Sequence, residues 1–219
     1  MKSKGYAVLE AKADLVPFEF ERRAVGRNDV GFEILYAGIC HSDIHQAREE
    51  WGAALFPMVP GHEIVGVVTR IGEDVSKFSV GDRIGVGVFI DSCRNCENCV
   101  RGLQQYCLEG MTGTYNGYER NSSQIAFGGY SNYFVIDQNF AVKVPNSLEL
   151  SAVAPLLCAG ITLYSGRATQ GQVFQFSSTE SVNLRIGNAG AVKLTVNGKE
   201  VPPLGGNGEV VNVSYGVNS

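Results

Sequence analysis

Short apolar segments separated by glycines and polar residues run through the first 145 positions of the chain. Residues 31–40, GFEILYAGIC, are apolar apart from one glutamate, and the run IVGVV lies within residues 60–75. Residues 128–145 alternate apolar and polar side chains, a period of two that is typical of strands. The pattern predicts strands at residues 5–11, 16–21, 31–40, 60–75, 78–89 and 128–145, with Gly81-Asp82 turning a strand pair in the fifth segment.

One convincingly helical segment follows, at residues 147–166, SLELSAVAPLLCAGITLYSG. Ser151 suits the N-cap position, and alanine, leucine and valine fill the turns behind it. A single helical segment among many short strands indicates a mainly β fold, and the 27 glycines of the chain agree with many turns.

Beyond residue 166 the composition changes, because the rest of the chain contains no cysteine, histidine or tryptophan. We place a boundary near Gly166–Gly171, between a domain at residues 1–166 and a β-rich segment at residues 172–219. Asn197-Gly198 is a strong hairpin signal in this segment. The pattern predicts strands near residues 172–177, 181–186, 191–196 and 209–215.

Charge and targeting signals narrow the class of protein. The net charge of −4 gives no electrostatic reason to expect nucleic acid or an anionic membrane surface as a partner. No apolar run approaches the length of a membrane span, and no apolar signal core follows the first residues, so we expect a cytoplasmic protein. In that compartment six cysteines are expected to bind metal or act in catalysis rather than form disulfides.

Four of the cysteines lie within fifteen residues, with the spacing C-x2-C-x2-C-x7-C. Four thiolates close the tetrahedral shell of a zinc ion and leave no position for water, so such a zinc would be structural. Two disulfides, free thiols or an iron–sulfur cluster are the alternatives. The four residues are Cys93, Cys96, Cys99 and Cys107.

Cys40, His62 and Cys158 stand apart in the sequence, in mainly apolar surroundings. Two thiolates and one imidazole leave a fourth zinc position open, where the metal polarises an alcohol or carbonyl oxygen. Each residue on its own is better explained by packing in the core, since buried free cysteines are common.

Several motifs together resemble the GroES-like catalytic domain of zinc-dependent medium-chain alcohol dehydrogenases, in particular the cinnamyl alcohol dehydrogenase group and its bacterial aldehyde-reductase relatives. The resemblance covers residues 1 to about 165. It rests on motifs that occur in the family's order: GICHSD, FPMVPGHEIVGVV, VGDRIGVG, the four-cysteine segment, GGYSNYFV and APLLCAGITLYS. The implied fold is a partly open β barrel with a zinc lobe.

The resemblance also implies roles for individual residues. It assigns Cys40, His62 and Cys158 to a catalytic zinc and the four clustered cysteines to a structural zinc, two zinc ions per chain. Ser42 would pass the substrate's proton outward, Glu63 would tune or transiently bind the metal, and Asp43 would orient His62. His41 and Thr162 would be remnants of a nicotinamide site. The implied reaction is the reversible oxidation of a small primary alcohol to an aldehyde with NADP.

The sequence after the helical segment lacks the expected cofactor-binding half. No G-x-G-x-x-G follows a strand, and about 50 residues cannot hold repeated βαβ units, which take about 30 residues each. We therefore expect that a Rossmann domain is absent, that NADP does not bind and that the chain has little or no dehydrogenase activity alone. The alternative is a non-enzymatic hybrid β module for assembly or interaction, with zinc as a structural element.

The tail resembles part of the C-terminal β domain of RodZ-type bacterial cell-shape proteins. The motifs that carry this resemblance are IGNAGAVKLTVNGK and the LGG-x-GEVV stretch. Together the two resemblances imply a chimera. We expect the tail strands to complete or cap the barrel, within one chain or by strand exchange in a homo-oligomer.

Overall fold

A computed structural model describes residues 1–158, 181–186, 189–207, 209 and 211–216. The chain divides into two compact units, Met1–Ile161 and Thr162–Ser219. In the first unit the strands are β1 Lys2–Ala7, β2 Val16–Glu21, β3 Asp29–Ala37, β4 Ile64–Ile71, β5 Arg83–Val86, β6 Phe89–Asp91, β7 Thr112–Gly113, β8 Tyr133–Asp137 and β9 Val142–Lys143.

Helices are few and short. The α-helices are α1 His41–Ala47, α2 Glu97–Val100 and α3 Leu150–Val153. Single 3-10 turns lie at Gln104–Tyr106, Gln138–Phe140 and Ala154–Leu157. Within the described ranges, no helix has the length and apolar character needed to cross a membrane.

A five-stranded antiparallel sheet forms the centre of the first unit, in the order β8-β3-β4-β5-β9. Phe32 on β3 lies at the centre of the packing of this sheet, because it pairs with Val68 on one neighbouring strand and with Phe134 on the other. All three side chains are almost completely buried. They belong to the main core cluster, which also contains Val30, Ile64, Phe78, Ile84, Val86, Ile90, Ala126 and Ile136.

The two faces of β4 pack against two different apolar clusters. Ile64 and Val68 point into the main core, whereas Val65 points to the opposite face, as strand alternation requires. There Val65 joins a second apolar cluster that contains Leu150 and Leu157 from the C-terminal turns of the unit. This packing fixes the end of the Ala154–Leu157 turn against the sheet, directly before Cys158.

The mainly β architecture predicted from the sequence is confirmed, with two local differences. Residues 78–89 hold β5 and the first residue of β6 instead of a strand pair turned at Gly81-Asp82, because Ser79 and Asp82 bond each other in a turn and the Gly81 amide donates to Val68 on β4. Helix α3 begins after Glu149, so Ser151 lies inside the helix and is not its N-cap. The predicted continuation of the helix to residue 166, the boundary at Gly166–Gly171 and the strand at 172–177 lie outside the described residues.

The second unit contains two small antiparallel pairs. β10 Ser181–Ile186 pairs with β13 Val211–Gly216, and β11 Thr195–Val196 pairs with β12 Lys199–Glu200. Asn197 and Gly198 connect the short pair with positive φ angles of 49° and 79°, as the hairpin signal predicted. The predicted domains at residues 1–166 and 172–219 stay a prediction.

Candidate metal centres

The four clustered cysteines converge in the cysteine lobe, which we define as residues 92–113. Their sulfur atoms all lie within 4.8 Å of one another, and Cys93 Sγ lies 3.8 Å from Cys99 Sγ. Two sulfurs that each lie about 2.3 Å from one tetrahedral zinc ion are about 3.8 Å apart, whereas bonded disulfide sulfurs are about 2.05 Å apart. Sulfurs bound to different irons of a cluster lie farther apart than sulfurs that share one ion. The lobe geometry therefore fits one ion.

Backbone amides donate hydrogen bonds to the lobe sulfurs. The amide of Cys93 donates to Cys107 Sγ at 3.3 Å, and the amide of Leu108 donates to Cys96 Sγ at 3.4 Å. Amide donors from Leu108 and Cys99 lower the pKa of Cys96 to about 6. The Cys96 amide favours the Cys93 thiolate, but burial and the neighbouring sulfurs outweigh it and raise the pKa of Cys93 to about 12. The Cys93 amide likewise leads the interactions that lower the pKa of Cys107, so two of the four sulfurs favour the thiolate form, and a cation would hold all four as thiolates.

Arg94 attaches the lobe to the central sheet. It occupies the left-handed region at φ 63°, between the first two cysteines of the cluster. Its Nε donates to Asp91 Oδ1 at 2.9 Å, and its Nη1 donates to Asp137 Oδ2 at 2.7 Å. The guanidinium carbon also lies 5.2 Å from the centre of the Phe140 ring. The lobe is therefore anchored to β8 and the turn that follows it.

A second group of ligand atoms is drawn together from four separate elements. Cys40 follows β3 and precedes α1, His62 and Glu63 directly precede β4, and Cys158 follows the Ala154–Leu157 turn. Their ligand atoms all lie within 4.8 Å of one another. The sulfurs of Cys40 and Cys158 are 3.9 Å apart, which again matches two thiolates on one tetrahedral ion. We call Cys40, His62 and Cys158 the three-ligand site.

One of the two ring nitrogens of His62 is hydrogen-bonded, and the other has no hydrogen-bond partner among the described residues. Its Nδ1 lies 3.0 Å from Asp43 Oδ1, while its Nε2 is buried and has no hydrogen-bond partner among the described residues. Burial opposes protonation of the ring, but the hydrogen bond and charge of Asp43, together with Cys40, outweigh burial and raise the pKa of His62. An unpaired buried nitrogen is costly, so the donor set fits a metal ion at Nε2.

Asp43 is the centre of the hydrogen bonding around this site and is only 3% exposed. Its Oδ1 accepts from His62 and from the Gly61 amide at 3.0 Å, and its Oδ2 accepts from the Cys40 amide and the Tyr130 hydroxyl at 3.0 Å. Burial opposes the charge, but the hydrogen bond and charge of His62, the Cys40 amide and the Tyr115 side chain together lower the pKa of Asp43. Its placement agrees with the expected role of orienting His62.

Ser42 and Glu63 lie beside the ligands, as expected. Ser42 Oγ is 3.5 Å from Cys40 Sγ, and hydrogen bonding with Ser42 outweighs burial and lowers the pKa of Cys40. Glu63 is only 2% exposed, and its carboxylate lies against Gly38, where any side chain would collide with Oε2. The glycine of the GICHSD motif therefore makes room for this carboxylate.

One of the two expected nicotinamide remnants, His41, is not drawn into the cluster. His41 is exposed on α1, with its ring centre 5.4 Å from that of His45. Thr162 lies outside the described residues. Sequence reasoning quoted the GGYSNYFV motif but missed that its Tyr130 reaches Asp43, since only the fold brings these segments together.

Two family models match the chain. The alcohol dehydrogenase GroES-like domain matches residues 26–146. The RodZ C-terminal domain matches residues 159–214, a shorter region. The first match, with the structural neighbours described below, confirms the predicted GroES-like fold of the N-terminal part.

Two bacterial alcohol dehydrogenases are similar to this chain in sequence. NADP-dependent alcohol dehydrogenase C 1 of Mycolicibacterium smegmatis is 55% identical over 161 residues, which is 73% of this chain and 46% of that protein. NADP-dependent alcohol dehydrogenase C of Mycobacterium tuberculosis is 44% identical over 198 residues, which is 87% of this chain and 57% of that protein. The chain thus spans about half the length of these relatives.

Solved structures give the same result. A cinnamyl alcohol dehydrogenase from Sorghum bicolor, SbCAD4, superimposes with a TM-score of 0.73 at 46% identity, covering 75% of this chain and 47% of that one. CAD from Helicobacter pylori, solved in complex with NADP(H), has a TM-score of 0.73 at 45% identity and covers 75% of this chain and 48% of that one. These findings confirm the resemblance to the cinnamyl alcohol dehydrogenase group.

Proposed function

The chain belongs to the alcohol dehydrogenase GroES-like domain family, and on this premise we propose that residues 1–166 are the metal-binding catalytic domain of an NADP-dependent alcohol dehydrogenase or aldehyde reductase. One observation carries the proposal. A ring nitrogen of His62 lies within 4.8 Å of the sulfurs of Cys40 and Cys158, and Nδ1 is engaged by Asp43 while Nε2 has no described partner. This is the arrangement of an oriented metal ligand.

The proposed metal is zinc, at two ions per chain. Thiolates and imidazoles are the ligands that zinc prefers in proteins. Cys93, Cys96, Cys99 and Cys107 would hold one ion with a closed shell, which stabilises the lobe. Cys40, Nε2 of His62 and Cys158 would hold the other with three protein ligands, which leaves a position open.

The chemistry follows from the residues around the open position. A zinc ion with an open position polarises an alcohol or aldehyde oxygen. Ser42 would accept a proton from a bound alcohol and return it to an aldehyde, which its Oγ at 3.5 Å from Cys40 Sγ supports. Glu63 puts a buried carboxylate beside the ligands and would tune their charge. Asp43 keeps the imidazole of His62 in one orientation and tautomer.

The substrate class we propose is a small alcohol or aldehyde, with NADP as the hydride carrier in the intact family. For this chain alone we propose little or no turnover. Hydride transfer needs a positioned nicotinamide, and positioning of reactants can be worth about 7–11 kcal/mol of barrier.

A second candidate is a non-enzymatic hybrid β module in which zinc only stabilises the fold. The observation in its favour is the match of residues 159–214 to the RodZ C-terminal domain, together with the lobe geometry. Under this second candidate function only the four-cysteine site binds zinc.

A homo-oligomer formed by strand exchange of the tail also stays a prediction. Measurement of the molar mass in solution checks it.

Metal counting separates the two candidates. We expect plasma mass spectrometry to find two zinc ions and no iron per wild-type chain, one zinc in His62→Ala and two in the control His45→Ala. His45 is the matched control because it lies on α1 outside both ligand groups. One zinc in the wild type favours the structural module, and two in His62→Ala contradict the three-ligand site.

We also propose a cytoplasmic location. Both ligand groups depend on reduced thiolates, and the reducing cytosol preserves them whereas oxidising compartments promote disulfides. Alkylation of thiols in cells, before and after zinc removal, checks this directly.

A further inference from the structure

The hydroxyl of Tyr130 donates a hydrogen bond to the carboxylate behind His62, which also interacts with the side chain of Tyr115. It donates to Asp43 Oδ2 at 3.0 Å, while Oδ1 of the same carboxylate faces His62 Nδ1 at 3.0 Å. The Tyr130 hydroxyl and the imidazole are therefore joined through one buried carboxylate. Burial, followed by the charge of Asp43, raises the pKa of Tyr130, so the hydroxyl keeps its proton and acts as a donor.

The main chain around Tyr130 is bound to the residues that precede His62. Three amides of the Gly128–Tyr130 segment donate to carbonyls of the Val59–Gly61 segment: Gly128 to Val59 at 2.6 Å, Gly129 to Gly61 at 2.8 Å and Tyr130 to Pro60 at 2.9 Å. The Tyr130 carbonyl in turn accepts from the Tyr6 amide at 2.9 Å. The two segments therefore hold each other in register.

Gly61 permits the close approach of the tyrosine ring. Its φ of +102° is a conformation that side chains disfavour, and a Cβ there would lie 2.7 Å from Tyr130 Cδ1. The ring of Tyr130 thus packs on the residue next to His62. The PGHE and GGYS motifs form one unit in space, although about 70 positions separate them in the chain.

We propose that Tyr130 is a positioning residue of the three-ligand site. Its hydroxyl stops the Asp43 carboxylate from rotating, so that Oδ1 keeps His62 oriented with Nε2 toward the metal. This inference rests on the proposed function, because it requires a metal at that site. The hydroxyl donates to Asp43, and we assign its influence on the metal to the path through Asp43 and His62.

Cobalt substitution tests the role of Tyr130. The full chain is stripped with a chelator and reloaded with Co²⁺, and visible d–d absorption and chelator competition are measured for wild type, Tyr130→Phe and the control Tyr133→Phe. Tyr133 is the matched control, because its buried hydroxyl has no hydrogen-bond partner among the described residues. We expect Tyr130→Phe to weaken Co²⁺ binding at the three-ligand site about 10-fold and to change its d–d bands. The four-cysteine site, and both sites in Tyr133→Phe, should match wild type.

The outcomes distinguish this inference from the proposed function. If wild type fills only the four-cysteine site, the proposed function fails and the inference with it. If wild type fills both sites and Tyr130→Phe has the same affinity and spectrum, only the role of Tyr130 is overturned. In an Asp43→Asn background the added Tyr130→Phe change should have no further effect, whereas a merely structural tyrosine would show the same loss in both backgrounds.

A measurement on the wild type covers the case in which Tyr130→Phe does not fold. The hydroxyl proton of Tyr130 should give a slowly exchanging proton NMR signal in the metal-loaded protein, since it is donated to a buried carboxylate. A hydroxyl that exchanges as fast as a free tyrosine's would overturn the inference.

Discussion

Cys40 and Cys158 bring their sulfur atoms to 3.9 Å from each other, although 118 positions separate them in the chain. Cys40 is placed by the end of β3, and Cys158 is placed by the apolar cluster that packs the Ala154–Leu157 turn on β4. Formation of the three-ligand site therefore depends on the packing of side chains that are not themselves ligands.

Leu157→Ala should damage this packing. Leu157 is 8% exposed in the second apolar cluster, and its loss should lower the free energy of unfolding by about 2–4 kcal/mol. Because Cys158 is the next residue, zinc affinity at the three-ligand site should fall as well. The control Leu156→Ala changes a side chain that is 54% exposed and should alter neither quantity. Urea unfolding and zinc competition check both, and equal behaviour of the two variants would contradict the argument.

Cys99→Ala should release the ion of the cysteine lobe and leave the other ion bound. The lobe has little regular structure, and structural zinc contributes about 10–16 kcal/mol in small peptides. Residues 92–113 should therefore become sensitive to limited proteolysis, which mass spectrometry locates. Val100→Ala, at a position 73% exposed, serves as the control and should stay resistant. Retention of two ions by Cys99→Ala would count against a four-thiolate site.

The metal-free protein should show a stability maximum set by the Asp43–His62 pair. The pKa of Asp43 is lowered, so its contribution is present above the ordinary value of 3.8 and is lost as the pH falls through the folded pKa. The pKa of His62 is raised, so its contribution is complete below 6.5 and is lost as the pH rises through the folded pKa. Stability should therefore be highest between pH 3.8 and pH 6.5 and should decline toward each folded pKa.

Asp43→Asn checks this pH dependence. Removal of one partner of a buried pair should cost about 3 kcal/mol and flatten the profile on both sides. The exposed Asp14→Asn is the control and should keep the wild-type profile. Urea midpoints across a pH series provide the data, and an unchanged profile in Asp43→Asn would show that other groups set the maximum.

The chain alone should not reduce an aldehyde at a rate above its own chelator-stripped form. The reason is the missing positioning of the nicotinamide, as proposed above. NADPH consumption with a small aromatic aldehyde measures this, with a complete dehydrogenase of the family as positive control. Zinc-dependent turnover near that control would show that hydride transfer does not need a further domain.

The sequence predicted the candidate metal ligands better than the residues that hold these ligands in place. Cysteine spacing and motif order identified the residues that the fold brings together. This was possible because cysteine and histidine side chains are themselves metal ligands. Tyr130 could not be found in this way, since its role arises from tertiary contacts between the GGYS and PGHE segments. The strand pair at residues 78–89 was wrong for a similar reason: the sequence does not reveal that Ser79 and Asp82 bond each other and that the Gly81 amide bonds Val68, so that a turn stands where the first strand was expected.

An anomalous difference map from crystals measured at the zinc absorption edge tests the central claim most directly. The account predicts two peaks per chain, one bonded to the sulfurs of Cys93, Cys96, Cys99 and Cys107, and one bonded to the sulfurs of Cys40 and Cys158 and to Nε2 of His62. A single peak in the cysteine lobe, or a disulfide joining Cys40 to Cys158, would contradict it.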